Sequence, residues 1–132
     1  MNYELQKLKM EMDKKHENSM LYTIRSNKTD KYYVGSTYQI LSKRLYDHKR
    51  LFKSYWKHQR YSSSFEILQY EDAYIEILED HKGMNRHVLF KLENEFIRNN
   101  REKVINVIGG KRPMITKEHK EELINISKQL ST

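Results

Sequence analysis

The chain has 132 residues, 37% of them hydrophobic, which is enough for one modest core but not two. No apolar run approaches the roughly 18 residues of a membrane-spanning helix, residues 1–18 lack the apolar stretch of a signal peptide, and zero Cys exclude a disulfide framework and a thiolate zinc site. The formal net charge is +7, from 25 Lys and Arg against 18 Asp and Glu, which suits a polyanionic partner and, with the missing cysteines, an intracellular setting.

Residues 3–18 predict a charged helix with Leu5, Leu8 and Met12 at helical spacing. His16 carries no chemistry there. Leu21 to Arg25 is short and alternating. It reads as a strand with Tyr22 and Ile24 on one face and Leu21 and Thr23 on the other. Residues 26–30 are polar and turn-prone. Lys31 to Ser36 is a second strand, so the two form a hairpin in which Tyr33 faces away from Tyr32. Gly35, without a side chain, lets backbone or substrate come close. Thr37 is placed to cap a helix running from about Tyr38 to Tyr55. The Ser62-Ser63-Ser64 run caps a short helix through Gln69.

Tyr74 to Glu79 alternates and reads as a third strand at the centre of the sheet, ended by His81-Lys82-Gly83. Asn85 to Asn99 is a helix. Val104 to Ile108 is a short apolar segment closing the core. Asn106 interrupts it and must be hydrogen-bonded if buried. The loop at Gly109-Gly110-Lys111-Arg112-Pro113 lacks the spacing of a phosphate-binding loop. Thr116 caps a last helix, Lys117 to Leu130, with Leu123, Ile126 and Leu130 as its stripe. The fold class is therefore α+β: a small three-stranded, mostly antiparallel sheet flanked by helices, with extra helices at both termini. The chain divides into an N-terminal helical extension over 1–19, a domain over 20–110, and a C-terminal loop and helix over 111–132.

Two helices carry charge where apolar residues belong. Turned through about 100° per residue, the 38–55 helix and the residue after it place Ile40, Leu41, Leu45, Leu51, Phe52, Tyr55 and Trp56 in one half. Arg44 and His48, four residues apart, fall inside that half. An inward guanidinium needs an anionic partner, either a structural carboxylate or a phosphate held in a cleft. In the 85–99 helix, Val88, Leu89, Phe90, Leu92, Phe96 and Ile97 fill one arc. Glu93 lies in its middle and Glu95 outside it. An inward carboxylate requires a cation, a donor or a metal, and a salt bridge to Arg44 would satisfy both inward charges.

The remaining charge is concentrated. Residues 43–60 hold seven basic side chains against a lone Asp47. Lys43, Lys49, Arg50, Lys53 and Lys57 lie opposite the apolar half, and Arg60 follows. Tyr46, Tyr55, Trp56 and Tyr61 are interleaved with them, a pattern suited to a nucleic acid with stackable bases. Lys111 and Arg112 would touch its backbone. A membrane surface fits less well, because the apolar half carries Arg44 and His48.

Met20-Leu21-Tyr22, then Tyr33-Val34-Gly35-Ser36-Thr37, then Arg44 with His48, then Leu92-Glu93-Asn94-Glu95-Phe96-Ile97 and Asn106, resemble in order and spacing the GIY-YIG nuclease family over about residues 20 to 108. Met20-Leu21 stands where the family usually has Gly-Ile, and Val34 replaces its second Ile. The resemblance implies Tyr22, Tyr33, Arg44, His48 and Glu93 as catalytic residues, with Gly35 and Asn106 in support. It implies Glu93 as ligand of one Mg²⁺ (or Mn²⁺), DNA as the partner, and phosphodiester hydrolysis by a monomer or homodimer. Two other readings stay open. A non-catalytic nucleic-acid-binding module on the same fold explains the basic helix but not Glu93. A small interaction protein explains neither inward charge.

Overall fold

The computed structural model describes residues 3–4, 19–106 and 115–132. The expected stripe of Leu5, Leu8 and Met12, together with His16, lies outside the described residues, as do Val107, Ile108 and the loop carrying Lys111 and Arg112. The three strands are β1 (Met20–Ser26), β2 (Thr29–Thr37) and β3 (Tyr74–Asp80). The helices are α1 (Leu41–Lys53), α2 (Tyr55–His58), α3 (Phe65–Leu68), α4 (Arg86–Asn99) and α5 (Lys117–Leu130).

The sheet order is β2-β1-β3 with both pairings antiparallel. A tight turn at Asn27 and Lys28 joins β1 to β2, anchored by Asp72, which accepts from the Ser26 hydroxyl and the Asn27 N–H. The centre of the sheet is β1, not β3 as its alternation suggested. Leu21, Tyr22, Thr23 and Ile24 are all buried, as befits a strand covered on both faces. β3 keeps Glu76 and Asp80 exposed and leaves Ile77 51% exposed, the character of an edge. Its alternation reports that solvated edge.

Helices cover both faces of the sheet. Tyr22 and Ile24 point into the larger core with Phe52, Tyr55, Phe65, Ile67 and Leu123 of the surrounding helices. Tyr32 and Val34 point the other way, onto Ile97 of α4 and Val104. Tyr33 packs on the first core, so the two adjacent tyrosines do face opposite sides. α5 joins this core through the fully buried Leu123, while Leu130 of the expected stripe is 40% exposed. Val104 forms a parallel bridge to Tyr32 on the free side of β2, the extended closure expected there.

The basic helix is shorter than its periodicity implied. β2 runs through Thr37, which pairs with Met20, so Thr37 belongs to the strand. Its hydroxyl accepts from Gln39 N–H at 3.0 Å in a local turn instead of capping the helix. The N-cap is Ile40, without a side-chain bond. The helix breaks at Ser54, and α2 ends in a left-handed Gln59. The inward stripe narrows to the partly buried Leu41 and Leu45 and the buried His48 and Phe52, leaving Ile40 and Leu51 in solvent. Leu51 sits about 90° from the stripe's centre, too far round to reach the core. In α4, Leu89 and Ile97 are buried as expected, but Phe90 is exposed. The Asn85 and Thr116 side chains cap α4 and α5 by accepting from Val88 N–H and His119 N–H.

Candidate active site

The hairpin brings Tyr22 opposite Gly35. A Cβ at Gly35 would lie 2.4 Å from Cζ and Oη of Tyr22. The space that Gly35 leaves is thus taken by the Tyr22 ring, where the sequence suggested backbone or substrate. The ring, fully buried, holds its hydroxyl against α1. There Tyr22 Oη lies 2.7 Å from His48 Nε2 and accepts from Arg44 Nε at 3.1 Å. The four-residue spacing of Arg44 and His48 on α1 places both on this one hydroxyl. Tyr33 completes an aromatic triangle, its ring centroid 6.4 Å from Tyr22 and 5.4 Å from His48.

Glu93 enters from α4 and accepts from Ser36 Oγ at 2.9 Å. No other hydrogen bond reaches its carboxylate among the described residues. The alternative of an Arg44–Glu93 salt bridge is not met: among the described residues, no carboxylate lies within 4.0 Å of the Arg44 side-chain nitrogens. Among the described residues, its one side-chain hydrogen bond runs to Tyr22. Arg44 and Glu93 instead line a shared cleft of about 510 Å³ with Tyr22, Tyr33, Gly35, Ser36 and Arg86. Asp47 also lines it but is bound to Lys43 at 2.7 Å. Asn106 supports the site from behind. Its side chain accepts from Val34 N–H at 2.9 Å and donates to Val34 O at 2.7 Å, clamping the backbone between Tyr33 and Gly35.

The electrostatics follow from burial. Burial, assisted by the neighbouring Tyr33, pushes the Tyr22 phenol well above its ordinary range, and Arg44 opposes this only in part. Burial and then the Glu93 charge lift Tyr33 to about 12, against the pull of Arg44. Burial, followed by the Arg44 charge, lowers His48 to about 4, so its imidazole is neutral at pH 7. Glu93 is raised by burial, with the Ser36 hydroxyl and Arg44 acting the other way. The result is a neutral acid–base pair, Tyr22 and His48, beside a cation and an anion that have no ion-pair partner among the described residues.

A family model described as GIY-YIG catalytic domain matches residues 18–106, about two thirds of the chain. The chain belongs to the GIY-YIG family. The family is one of nucleases, generally metal-dependent, and the matched span holds Tyr22, Tyr33, Gly35, Arg44, His48, Glu93 and Asn106. No curated protein and no solved structure matches the chain.

The donor set bears on the family's metal dependence. Among the described residues, no group of three or more His, Asp or Glu could cage an ion. Asp47 is engaged by Lys43, and the Glu93 carboxylate, with one oxygen engaged by Ser36, fits a hard divalent ion that keeps most of its waters. A closed structural site is a poor fit.

The structure adds three residues to this candidate site. Ser36 holds Glu93, Ser64 meets His48 Nδ1 at 3.3 Å, and Arg86 lines the cleft. Arg86 had a readable signal, since it precedes Glu93 by seven residues, about two turns along the same face. Ser64 had none: it reads as a cap, yet its side chain makes no cap bond and bonds Ser62 and His48 instead.

The expected nucleic-acid contacts lie elsewhere. Lys43, Lys49, Arg50, Lys53, Lys57 and Arg60 do not line the cleft; Arg44 and Arg86 are its basic residues. Among the interleaved aromatics, Tyr55 is core, Tyr61 is half-buried and donates to Glu66, and Trp56 is half-buried beside Lys57 and Lys128. Tyr46 alone of the four is exposed. Among the described residues, no helix is long and apolar enough to cross a membrane.

Proposed function

We propose that the protein is a metal-dependent endonuclease that hydrolyses DNA phosphodiester bonds with a single ion per site. The observation that carries this reading is a pair of opposite charges left apart: Arg44 and Glu93 face one cleft without an ion pair between them. A structural pair would have closed on itself, because a half-buried charge without a counter-ion is costly. A phosphate and a cation together satisfy both.

In this reading the Arg44 fork holds a non-bridging oxygen of the scissile phosphate. Glu93 holds the ion, which when bound supplies charge neutralisation at the phosphate and the departing 3′ oxygen. Tyr22 Oη takes a proton from the attacking water as its own passes to His48 Nε2, 2.7 Å away. The raised Tyr22 phenol makes a free phenolate scarce, so the two transfers are coupled. His48 is ready to accept at pH 7, but holding a full proton there costs about 4 kcal/mol, from its value of about 4 at 1.36 kcal/mol per unit. A phosphate on Arg44 offsets the cation that depresses His48, so substrate binding makes the acceptor more basic. Tyr33 positions the water or the phosphate. Lys43, Lys49, Arg50, Lys53, Lys57 and Arg60, with Lys111 and Arg112, hold flanking DNA.

The test is conversion of a supercoiled plasmid in Mg²⁺ and in EDTA, by wild type and Glu93→Ala. Nicking or linearisation that needs the metal and disappears in the variant supports the reading. Salt-sensitive retardation of DNA with no cleavage under any metal would place the chain with the binding modules instead.

A further inference from the structure

We infer that Ser64 is a positioning residue for the hydrolysis: it holds the His48 imidazole in the Nδ1–H tautomer, which alone leaves Nε2 bare to receive the Tyr22 proton. The inference rests on the nuclease reading for its purpose, but the tautomer itself follows from the hydrogen bonds.

The argument starts at a group whose role is fixed. Arg44 Nε carries a hydrogen and no lone pair, so at 3.1 Å it donates and Tyr22 Oη accepts. Tyr22 has one hydroxyl proton and its side chain is fully buried. The other polar side chain bonded to Oη is His48, at 2.7 Å through Nε2. The hydroxyl therefore donates to Nε2, and Nε2 carries no hydrogen. A neutral imidazole must then carry its hydrogen on Nδ1. Nδ1 lies 3.3 Å from Ser64 Oγ, so Ser64 accepts from it. Ser64 Oγ also lies 3.0 Å from Ser62 Oγ, a hydroxyl pair in which either oxygen can donate.

Running the chain backwards fails. If Ser64 donated to Nδ1, Nε2 would carry the hydrogen and donate to Tyr22 Oη. Two donors would then converge on that oxygen, and its own proton would have no acceptor among the described residues. A buried hydroxyl in that state is destabilising. The contacts are thus consistent in one direction only, from Arg44 through Tyr22 and His48 to Ser64. Neutrality of His48 is what makes tautomer choice matter, and burial supplies it. Ser64 is suited to the task because it is fully buried, so water does not replace it as the Nδ1 acceptor.

The experiment reads the ring directly. In ¹⁵N-labelled protein at pH 7, two-bond ¹H–¹⁵N correlations assign the protonated nitrogen of each histidine. His58 supplies the opposite case in the same spectrum, because its Nδ1 accepts from Arg60 N–H at 2.9 Å. Wild-type His48 is expected to carry its hydrogen on Nδ1. In Ser64→Ala, Nδ1 loses its acceptor, and the ring is expected to shift toward Nε2–H. Plasmid cleavage should fall about 10- to 100-fold, the usual cost of removing a group that orients a functional histidine. DNA affinity should stay at the wild-type value.

Wild-type His48 protonated on Nε2 would overturn the inference without any variant, so a poorly folding Ser64→Ala does not protect it. An unchanged tautomer and unchanged rate in a folded Ser64→Ala would also overturn it. A wild type that never cuts DNA yet shows Nδ1–H would sink the nuclease reading and the role in hydrolysis, and leave Ser64 as the group that orients the ring.

Discussion

Gly35→Ala is the most revealing single change to the hairpin. The new methyl would sit 2.4 Å from two Tyr22 ring-end atoms and 2.9 Å from a third. Carbon atoms rest at roughly 3.5–4.0 Å, so the ring must retreat by about 1 Å. It cannot do so quietly, because it is fully buried and its hydroxyl is held by His48 and Arg44. Overpacking of this kind costs about 1–3 kcal/mol, and each stretched hydrogen bond about 1 kcal/mol more. We expect a loss of about 3–5 kcal/mol in urea unfolding, against a typical total of about 5–15 kcal/mol. Cleavage should fall by on the order of 10²-fold, the consequence of displacing a reacting group by about 1 Å. Gly83→Ala is the control. Gly83 has φ +86 with nothing within 4 Å of the added carbon, so the change should cost about 1–2 kcal/mol of backbone strain and leave cleavage unchanged. A double-mutant cycle isolates the clash: in a Tyr22→Leu background, Gly35→Ala should cost almost nothing, giving a coupling close to its whole wild-type cost, about 3–5 kcal/mol. A Gly35→Ala protein as stable and as active as wild type would refute the packing argument.

The other predictions concern protonation, support and DNA contact. His48 has its ordinary value of 6.5 when unfolded and about 4 when folded, so the unfolded chain binds the proton first as pH falls. Its contribution is therefore whole above pH 6.5 and lost on the way down to pH 4, by about 3 kcal/mol in all. The stability difference between wild type and His48→Gln should shrink across that window, and a difference flat with pH would contradict it. Asn106→Ala removes both bonds to Val34 and should cost about 2 kcal/mol, with faster hydrogen exchange at the Val34 amide; unchanged exchange there would deny the clamp. Arg86 is exposed and lines the cleft. Arg86→Ala should leave stability intact and weaken DNA binding, lowering the slope of log affinity against log salt by about 1. An unchanged slope would remove Arg86 from the interface.

What could be read from the sequence was local. Alternation separated Tyr22 from Leu21 and Tyr33 from Tyr32, and the helical period marked Glu93 over Glu95. The cap Thr116 stood where a side-chain oxygen favours a helix start. What could not be read came from long-range pairing. Alternation described the faces of β3 but not its neighbours, so an edge strand passed for a centre. Thr37 and Ser64 have the chemistry of caps, yet strand pairing claimed the one and His48 the other. The role of Gly35 needed the register that sets it against Tyr22. The apolar half drawn around Ile40 and Leu51 was too wide: the strand pairing of Thr37 leaves Ile40 as the N-cap, and Leu51 sits about 90° from the stripe's centre. The separation of Arg44 from Glu93 was equally invisible, and the site depends on it.

The most direct test of the account is single-turnover plasmid cleavage in Mg²⁺ by Tyr22→Phe beside wild type. Phenylalanine keeps the ring over Gly35 and removes the one oxygen that joins Arg44 to His48. The account predicts a wild type that cuts, a variant slower by about 10²- to 10⁴-fold, and equal affinity for DNA. A variant that cuts at the wild-type rate would show that the Tyr22 hydroxyl moves no proton in the reaction.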